Sequence, residues 1–272
     1  MTQPVRATDR LSASEAADVL AIAGAAAEAD GTYPLSEDAV LHVRHGASAG
    51  RVHLLAEGGY AYLDGEDPEG PSGELVVHPR HRLRGVGTAL LGAATEAAQG
   101  GGMRFWAHGD DPGARVFAEK NGFVRTRVLW QMRRSLAEPL PVAPLPAGVT
   151  LRHFRPGVDD TAWLVVNARA FADHPEQGRI TRADLDERMA EPWFDPAGFL
   201  IAERDGRMIG FHWTKEHPGG LGEVYVLGVD PAAGGRGVGR ALLLAGLRHL
   251  RTEGDTEVEL YVEADHAGPV GL

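Results

Sequence analysis

"LVVHPRHRLRGVGTALL" (75–91) and "LGVDPAAGGRGVGRALL" (227–243) are two versions of one string, standing 152 positions apart. In each, an apolar run ends at a proline, a glycine-rich turn follows, and an Ala-Leu-Leu run starts a helix. At that spacing Leu75 meets Leu227, Val77 meets Val229, Arg84 meets Arg236, and Gly85-Val86-Gly87 meets Gly237-Val238-Gly239. A match that runs through strand, proline, loop and helix reads as an internal duplication. A strand, a glycine turn and a helix start converge several backbone N–H groups on one point, and with the positive end of the helix dipole they hold an anion such as phosphate. Glycine is needed because only a residue without Cβ lets backbone come that close. Two common phosphate loops fail on detail. No lysine follows either turn, as a Walker loop requires, and Leu90 and Leu242 stand where a dinucleotide fingerprint has its third glycine.

Outward from these strings the chain divides in two. "SLAEPLPVAPLPAG" (135–148) carries four prolines and reads as an extended linker between residues 1–134 and 149–272. In the first half the pattern predicts a helix over 14–29 capped by Ser12 or Ser14, strands at 51–56, 59–63 and 73–79, a helix over 85–98, a strand at 103–109, a helix over 112–120 and a closing strand at 122–134. The second half repeats the order: strand 149–155, helices 159–171 and 181–190, strands 198–204, 207–215 and 222–229, helix 237–252 and strand 257–263. This alternation predicts an α/β protein of two like domains, each a mixed sheet flanked by helices.

Composition narrows the functional classes. The 272 residues have a formal net charge of −11 and 43% hydrophobic residues. Such an acidic chain is a poor partner for nucleic acid. Without any cysteine there is no disulfide, thiolate nucleophile or Cys-ligated zinc. His212 and His217 lack the spacing of a zinc motif, so ordinary polar or packing roles are expected for both, and no metal. The first residues lack a signal-peptide pattern, and no window approaches the roughly 18 apolar residues of a membrane helix. A cytoplasmic protein, monomeric and off the membrane, is the expectation.

The R/Q-x-x-G-x-G/A loop after a V-x-P strand is similar to the acetyl-CoA signature of the GNAT N-acetyltransferases. The resemblance implies two tandem GNAT domains. It implies that the Arg82-Leu83-Arg84-Gly85-Val86-Gly87 and Gly234-Gly235-Arg236-Gly237-Val238-Gly239-Arg240 loops hold the CoA pyrophosphate. The strands Leu75-Val76-Val77 and Leu227-Gly228-Val229 would take the pantetheine arm. Gly234 departs from the motif, which usually has Gln or Arg there. Amine acetylation needs a base and a donor that polarises the thioester carbonyl. Glu223, four residues before Leu227 on the strand entering the second loop, is the candidate base. The same offset places Pro71 in the first copy, so that half is expected to bind CoA without catalysing.

Longer strings, among them "FADHPEQGRIT" (171–181), "PWFDP" (192–196) and "GFHWTKEHPGGLGEVYVLGVDP" (210–231), resemble the mycothiol synthase family of tandem GNAT enzymes from actinobacteria. That resemblance implies acetyl-CoA as donor and the cysteinyl amine of desacetyl-mycothiol as acceptor. It implies Glu223 as base acting through water, the Val229 N–H as polarising donor, and Glu37, Glu176, Lys215, Glu223 and Tyr261 as acceptor contacts. It also implies a CoA contact from His266, Ala267, Gly268, Pro269, Val270 and Gly271. The family continues past this point with a general-acid tyrosine, a helix and a strand. The second copy is therefore expected to lack its last helix and strand, and the 272-residue chain to have weak or no activity.

Overall fold

The computed structural model describes residues 4–46, 50–67, 69–233 and 237–264, leaving aside the side chains of Pro175 and Glu176. The chain forms two compact units, residues 1–124 and 125–272.

The first unit runs β1 (Arg6–Thr8), α1 (Ala13–Asp30), α2 (Glu37–His45), β2 (Arg51–Ala56), β3 (Gly59–Asp64), β4 (Ser72–Val77), α3 (Val86–Ala97), β5 (Arg104–Phe105) and α4 (Pro112–Lys120). Its five-stranded sheet has the order β1-β2-β3-β4-β5, antiparallel except for the β4–β5 pair. Ser12 starts α1 through a capping box with Glu15. The sheet's two faces are covered separately. Val19, Ala23 and Ala26 of α1 pack with Tyr60, Tyr62 and Val76. Val86, Leu90 and Ala94 of α3 pack with Leu54, Ala61, Leu75 and Val77 on the other side. Burial of each large apolar side chain is worth roughly 1.5–3 kcal/mol. Helix α2 escaped the sequence reading, although Ser36 before Glu37 and Asp38 is a serviceable start signal; Ser36 does cap it.

The second unit runs β6 (Leu129–Ser135), β7 (Val149–His153), α5 (Asp160–Ala170), α6 (Pro175–Gly178), α7 (Arg182–Met189), β8 (Phe199–Arg204), β9 (Arg207–His217), β10 (Leu221–Val229), α8 (Val238–Glu253) and β11 (Glu257–Glu263). The sheet order is β6-β11-β10-β9-β8-β7, with β10–β11 the parallel pair. An aromatic stack sits under α5: Phe199 lies 4.4 Å from Trp213 and 4.2 Å from Phe154, ring on ring, while Trp163 meets Trp213 edge-on at 5.8 Å.

One expectation fails here. The strand read as closing the first copy is β6, which belongs to the second unit and pairs antiparallel with β11 from Glu257↔Ser135 to Glu263↔Leu129. The boundary therefore falls at Val124/Arg125, ahead of the proline-rich stretch. That stretch is not a free tether either. Leu136 is buried with Leu247 and Leu250 of α8, Leu140 and Ala143 pack against the same cluster, and Arg248 Nη2 donates to the Pro141 carbonyl at 2.7 Å. Prolines deny it a ladder, and its apolar residues seat it on the helix instead.

Candidate active site

In both units the parallel strand pair is brief. β10 and β11 pair only from Leu221–Glu223 to Glu257–Glu259. Beyond that point β10 runs on to Val229 paired with β9 alone, while β11 stays with β6. A gap opens between them. Asp230 N–H donates across to Ile209 beside β9 at 2.9 Å. Successive N–H groups along a strand face opposite edges, so the Val229 N–H is turned into the gap. The first unit repeats this geometry: β4 and β5 pair only at Ser72–Gly73, His78 N–H donates to Gly58 at 2.9 Å, and the Val77 N–H is turned outward.

At the foot of each gap the chain turns into a helix through a left-handed glycine, Gly85 at φ 85° before α3 and Gly237 at φ 104° before α8. Neither helix start has a side-chain cap, so the first-turn N–H groups point toward the loop without an internal acceptor. This arrangement fits CoA, a backbone slot for an amide-bearing arm and a dipole-backed anion cradle for pyrophosphate. Leu75, Val77, Val86, Leu227, Val229 and Val238 turn their side chains into the core, which leaves their backbone for a ligand. Val76 packs on the opposite face of its sheet. Leu83 is fully exposed at φ 61°, a turn position beside Arg84. Arg82 does not reach for an anion: its guanidinium clasps Asp30 at 2.6 and 2.7 Å and its Nε donates to the Val77 carbonyl. Gly239 sits in the first turn of α8 beside Val229, and Arg240 is exposed. Gly234, Gly235, Arg236 and His266 through Gly271 lie outside the described residues.

Chemistry-bearing side chains gather where β10 and β11 part. Glu223, 9% exposed, has Lys215 of β9 opposite it on one side and Glu259 of β11 on the other. His217 Nε2 lies 2.7 Å from Glu223 Oε2. Ligand atoms of His217, Glu223 and Glu259 all come within 4.8 Å of one another, a concentration of negative charge suited to a protonated amine. Glu259 is held by Arg133 at 2.7 Å and by Gln131 Nε2 at 2.8 Å, and the same amide nitrogen lies 3.0 Å from Tyr261 Oη. Burial, followed by the charges of Glu259 and Glu223, pushes the Tyr261 phenol above its usual range, so it stays protonated at neutral pH. The Lys215 ammonium lies over the Trp193 and Tyr225 rings at 4.6 and 5.2 Å. Arg188 Nε donates to Tyr225 Oη at 3.1 Å and steadies that cage.

The structure thus brings Glu223, Lys215 and Tyr261 together. Glu176 lies on α6, which Asn167 ties to α5 through the Gln177 carbonyl at 2.6 Å and the Gln177 side chain at 3.0 Å. Glu37 opens α2 in the other unit. His212 packs as expected, fully buried with Nδ1 2.9 Å from the Leu242 carbonyl. His217 has a polar contact: at the end of β9, in register with Leu221, its Nε2 meets Glu223. Sequence reasoning also missed Glu259, Arg133 and Gln131, whose signal was a strand pairing formed across more than 120 positions.

The first unit differs in register. β10 carries a bulge between Val224 and Val226, and β4 has none. One inserted residue shifts the offset, so Ser72, not Pro71, stands where Glu223 does. It is flanked by Asp64 in place of Lys215 and by Arg104 in place of Glu259. Asp64 pairs with Arg51 at 3.2 Å and Arg104 with Asp67 at 2.6 Å. No carboxylate occupies the base position there.

Comparison with known proteins agrees with this architecture. The acetyltransferase (GNAT) family model matches residues 167–272 and a GNAT domain model matches residues 40–125. A GCN5-related N-acetyltransferase from Sphaerobacter thermophilus superposes with a TM-score of 0.68 at 27% identity, over 98% of this chain and 90% of that one. The fold is that of a tandem GNAT acetyltransferase, which uses acetyl-CoA. Within that class the match is narrower. The mycothiol acetyltransferase of Thermobispora bispora is 55% identical over 93% of this chain and 89% of its own length. That of Thermomonospora curvata is 56% identical over 94% and 87%. The chain belongs to the mycothiol acetyltransferase family.

Proposed function

We propose that the second unit transfers acetyl from acetyl-CoA to the cysteinyl amine of desacetyl-mycothiol, with Glu223 as base and the Val229 N–H as the donor to the thioester carbonyl. The carrying observation is that Glu223 stands at the mouth of the splayed gap, on the strand whose Val229 N–H faces into it. In this reading Glu223 takes the ammonium proton, through a water. The freed nitrogen forms the C–N bond as the C–S bond breaks, and the second proton it sheds on becoming an amide passes, through solvent, to the departing thiolate, which leaves as CoA. The Val229 N–H offsets the charge that builds on the carbonyl oxygen, the kind of contribution worth about 10²–10³ in rate. Lys215, Glu176 and Tyr261 serve the hydroxyl-rich acceptor. Gly234–Arg240, Leu227–Val229 and His266–Gly271 serve CoA. The first unit binds CoA through Leu75–Val77 and Arg82–Gly87 without catalysing, Arg82 contributing backbone only. Ser72 in the base position supports this assignment.

A monomer in the cytoplasm completes the reading. Among the described residues no helix is long and apolar enough to cross a membrane, and the absence of cysteine suits a reducing compartment. Acetyl-CoA consumption with desacetyl-mycothiol, compared between wild type and Glu223→Gln, tests the central claim. Turnover that the substitution removes supports it. Turnover only with other amines, or undiminished in the variant, refutes the acceptor or the base respectively.

A further inference from the structure

We infer that His217 is a positioning residue for Glu223: it ties down Oε2 and leaves Oε1 as the oxygen that receives the amine proton. This rests on the reading of Glu223 as the base. His217 Nε2 lies 2.7 Å from Glu223 Oε2. A base must rest as a carboxylate, which has lone pairs and no hydrogen. The hydrogen between the two atoms therefore belongs to Nε2, and Nε2–H donates. A carboxylate oxygen engaged by an N–H is the poorer proton acceptor, so the reacting oxygen is Oε1.

The contact also fixes the carboxylate's orientation. Glutamate has three rotatable bonds, and only two neighbouring residues on the flanking strands face Glu223 in register, Lys215 and Glu259. Lys215 is drawn to the rings of Trp193 and Tyr225. Glu259, a like charge, is held by Arg133 and Gln131 and would push the Glu223 carboxylate away. His217 counters that push from the end of β9, two residues beyond Lys215. Its side chain is 29% exposed against 11% for Glu223.

The test is single-turnover acetyl transfer to desacetyl-mycothiol, followed by mass spectrometry, for His217→Ala, His217→Gln, Glu223→Gln and the double variant Glu223→Gln/His217→Ala, with acetyl-CoA affinity measured alongside. Loss of a hydrogen bond to a charged group predicts that His217→Ala slows transfer about 10-fold or more. His217→Gln, which still offers an N–H, should stay within about 3-fold of wild type. Acetyl-CoA affinity should be unchanged, and the double variant no slower than Glu223→Gln. Wild-type rates in both His217 variants would overturn the inference and leave the base standing. Equal losses in the two variants, with acetyl-CoA affinity falling too, would reduce His217 to a packing residue and overturn it as well. An active Glu223→Gln would remove the base itself, and this inference with it.

Discussion

The two units share a scaffold and part company over one residue of backbone. Each has a strand that separates from its parallel neighbour, an outward N–H at its end (Val77, Val229) and a left-handed glycine opening the following helix. What separates them is the bulge at Val224/Val226. Side chains alternate between faces along a strand, so an inserted residue re-aims everything before it. In the second unit the re-aimed position holds Glu223 among His217, Lys215 and Glu259. In the first, an unbulged strand brings Ser72 between Asp64 and Arg104, each already paired. Retaining the glycine turn costs a domain little, whereas the setting of Glu223 depends on a register that one residue can shift.

The comparison breaks most visibly at Glu223. Glu223→Gln should lower turnover about 10²–10⁴-fold while acetyl-CoA still binds. Ser72→Glu should restore nothing, because its neighbours are wrong; acetyl-CoA consumption and calorimetric binding check both. The shared loops are sharpened by Gly237→Ala against Gly85→Ala. A β-carbon at positive φ costs about 1–2 kcal/mol, so each should lower the melting point of its own unit. Only Gly237→Ala should raise the KM for acetyl-CoA, by about 10-fold.

Each unit also buries one histidine that resists its proton. Burial drives His212 down to about 4, and burial followed by the neighbouring His42 does the same to His53. The unfolded chain protonates these rings near 6.5 and the folded one does not until about 4. Stability is therefore present above 6.5 and lost as pH falls toward 4, by on the order of 3 kcal/mol for His212. Urea melts at pH 7 and 4.5 should show both units weakening. A second unit indifferent to this interval would mean His212 is not buried neutral. The smallest effect is at Arg82: its pair with Asp30 is partly exposed, so Arg82→Ala should cost under about 1 kcal/mol and leave turnover unchanged, read by melting and steady-state rates.

The loops, the strands leading into them and Glu223 were legible because they rest on short-range patterns: a proline ending an apolar run, a glycine pair, a helix that follows. His217 was readable as a residue and not as a role, since its meaning depends on the β9–β10 register that sets it beside Glu223. Ser72 was misread as Pro71 because a bulge leaves no mark in hydropathy. Glu259, Arg133 and Gln131 were out of reach for a different reason. Their placement comes from pairing β6 with β11, strands that the repeat pattern assigned to different domains.

That pairing sets a schedule for the growing chain. The first unit's sheet has all its strands once residue 105 has been made, and its most distant partners, Arg6 and Leu55, stand fewer than 50 positions apart. The next strand to be synthesised is β6, yet its partner among the described residues arrives more than 120 positions later. At ribosomal speeds of 5–20 residues per second the wait is roughly 6–25 s. Throughout it a strand bearing Leu129 and Trp130 hangs with both edges unpaired, the kind of segment that chaperones recognise and that aggregation exploits. Of the two sheets, the one that carries Glu223 closes later, well after the turn at Gly85 has been made.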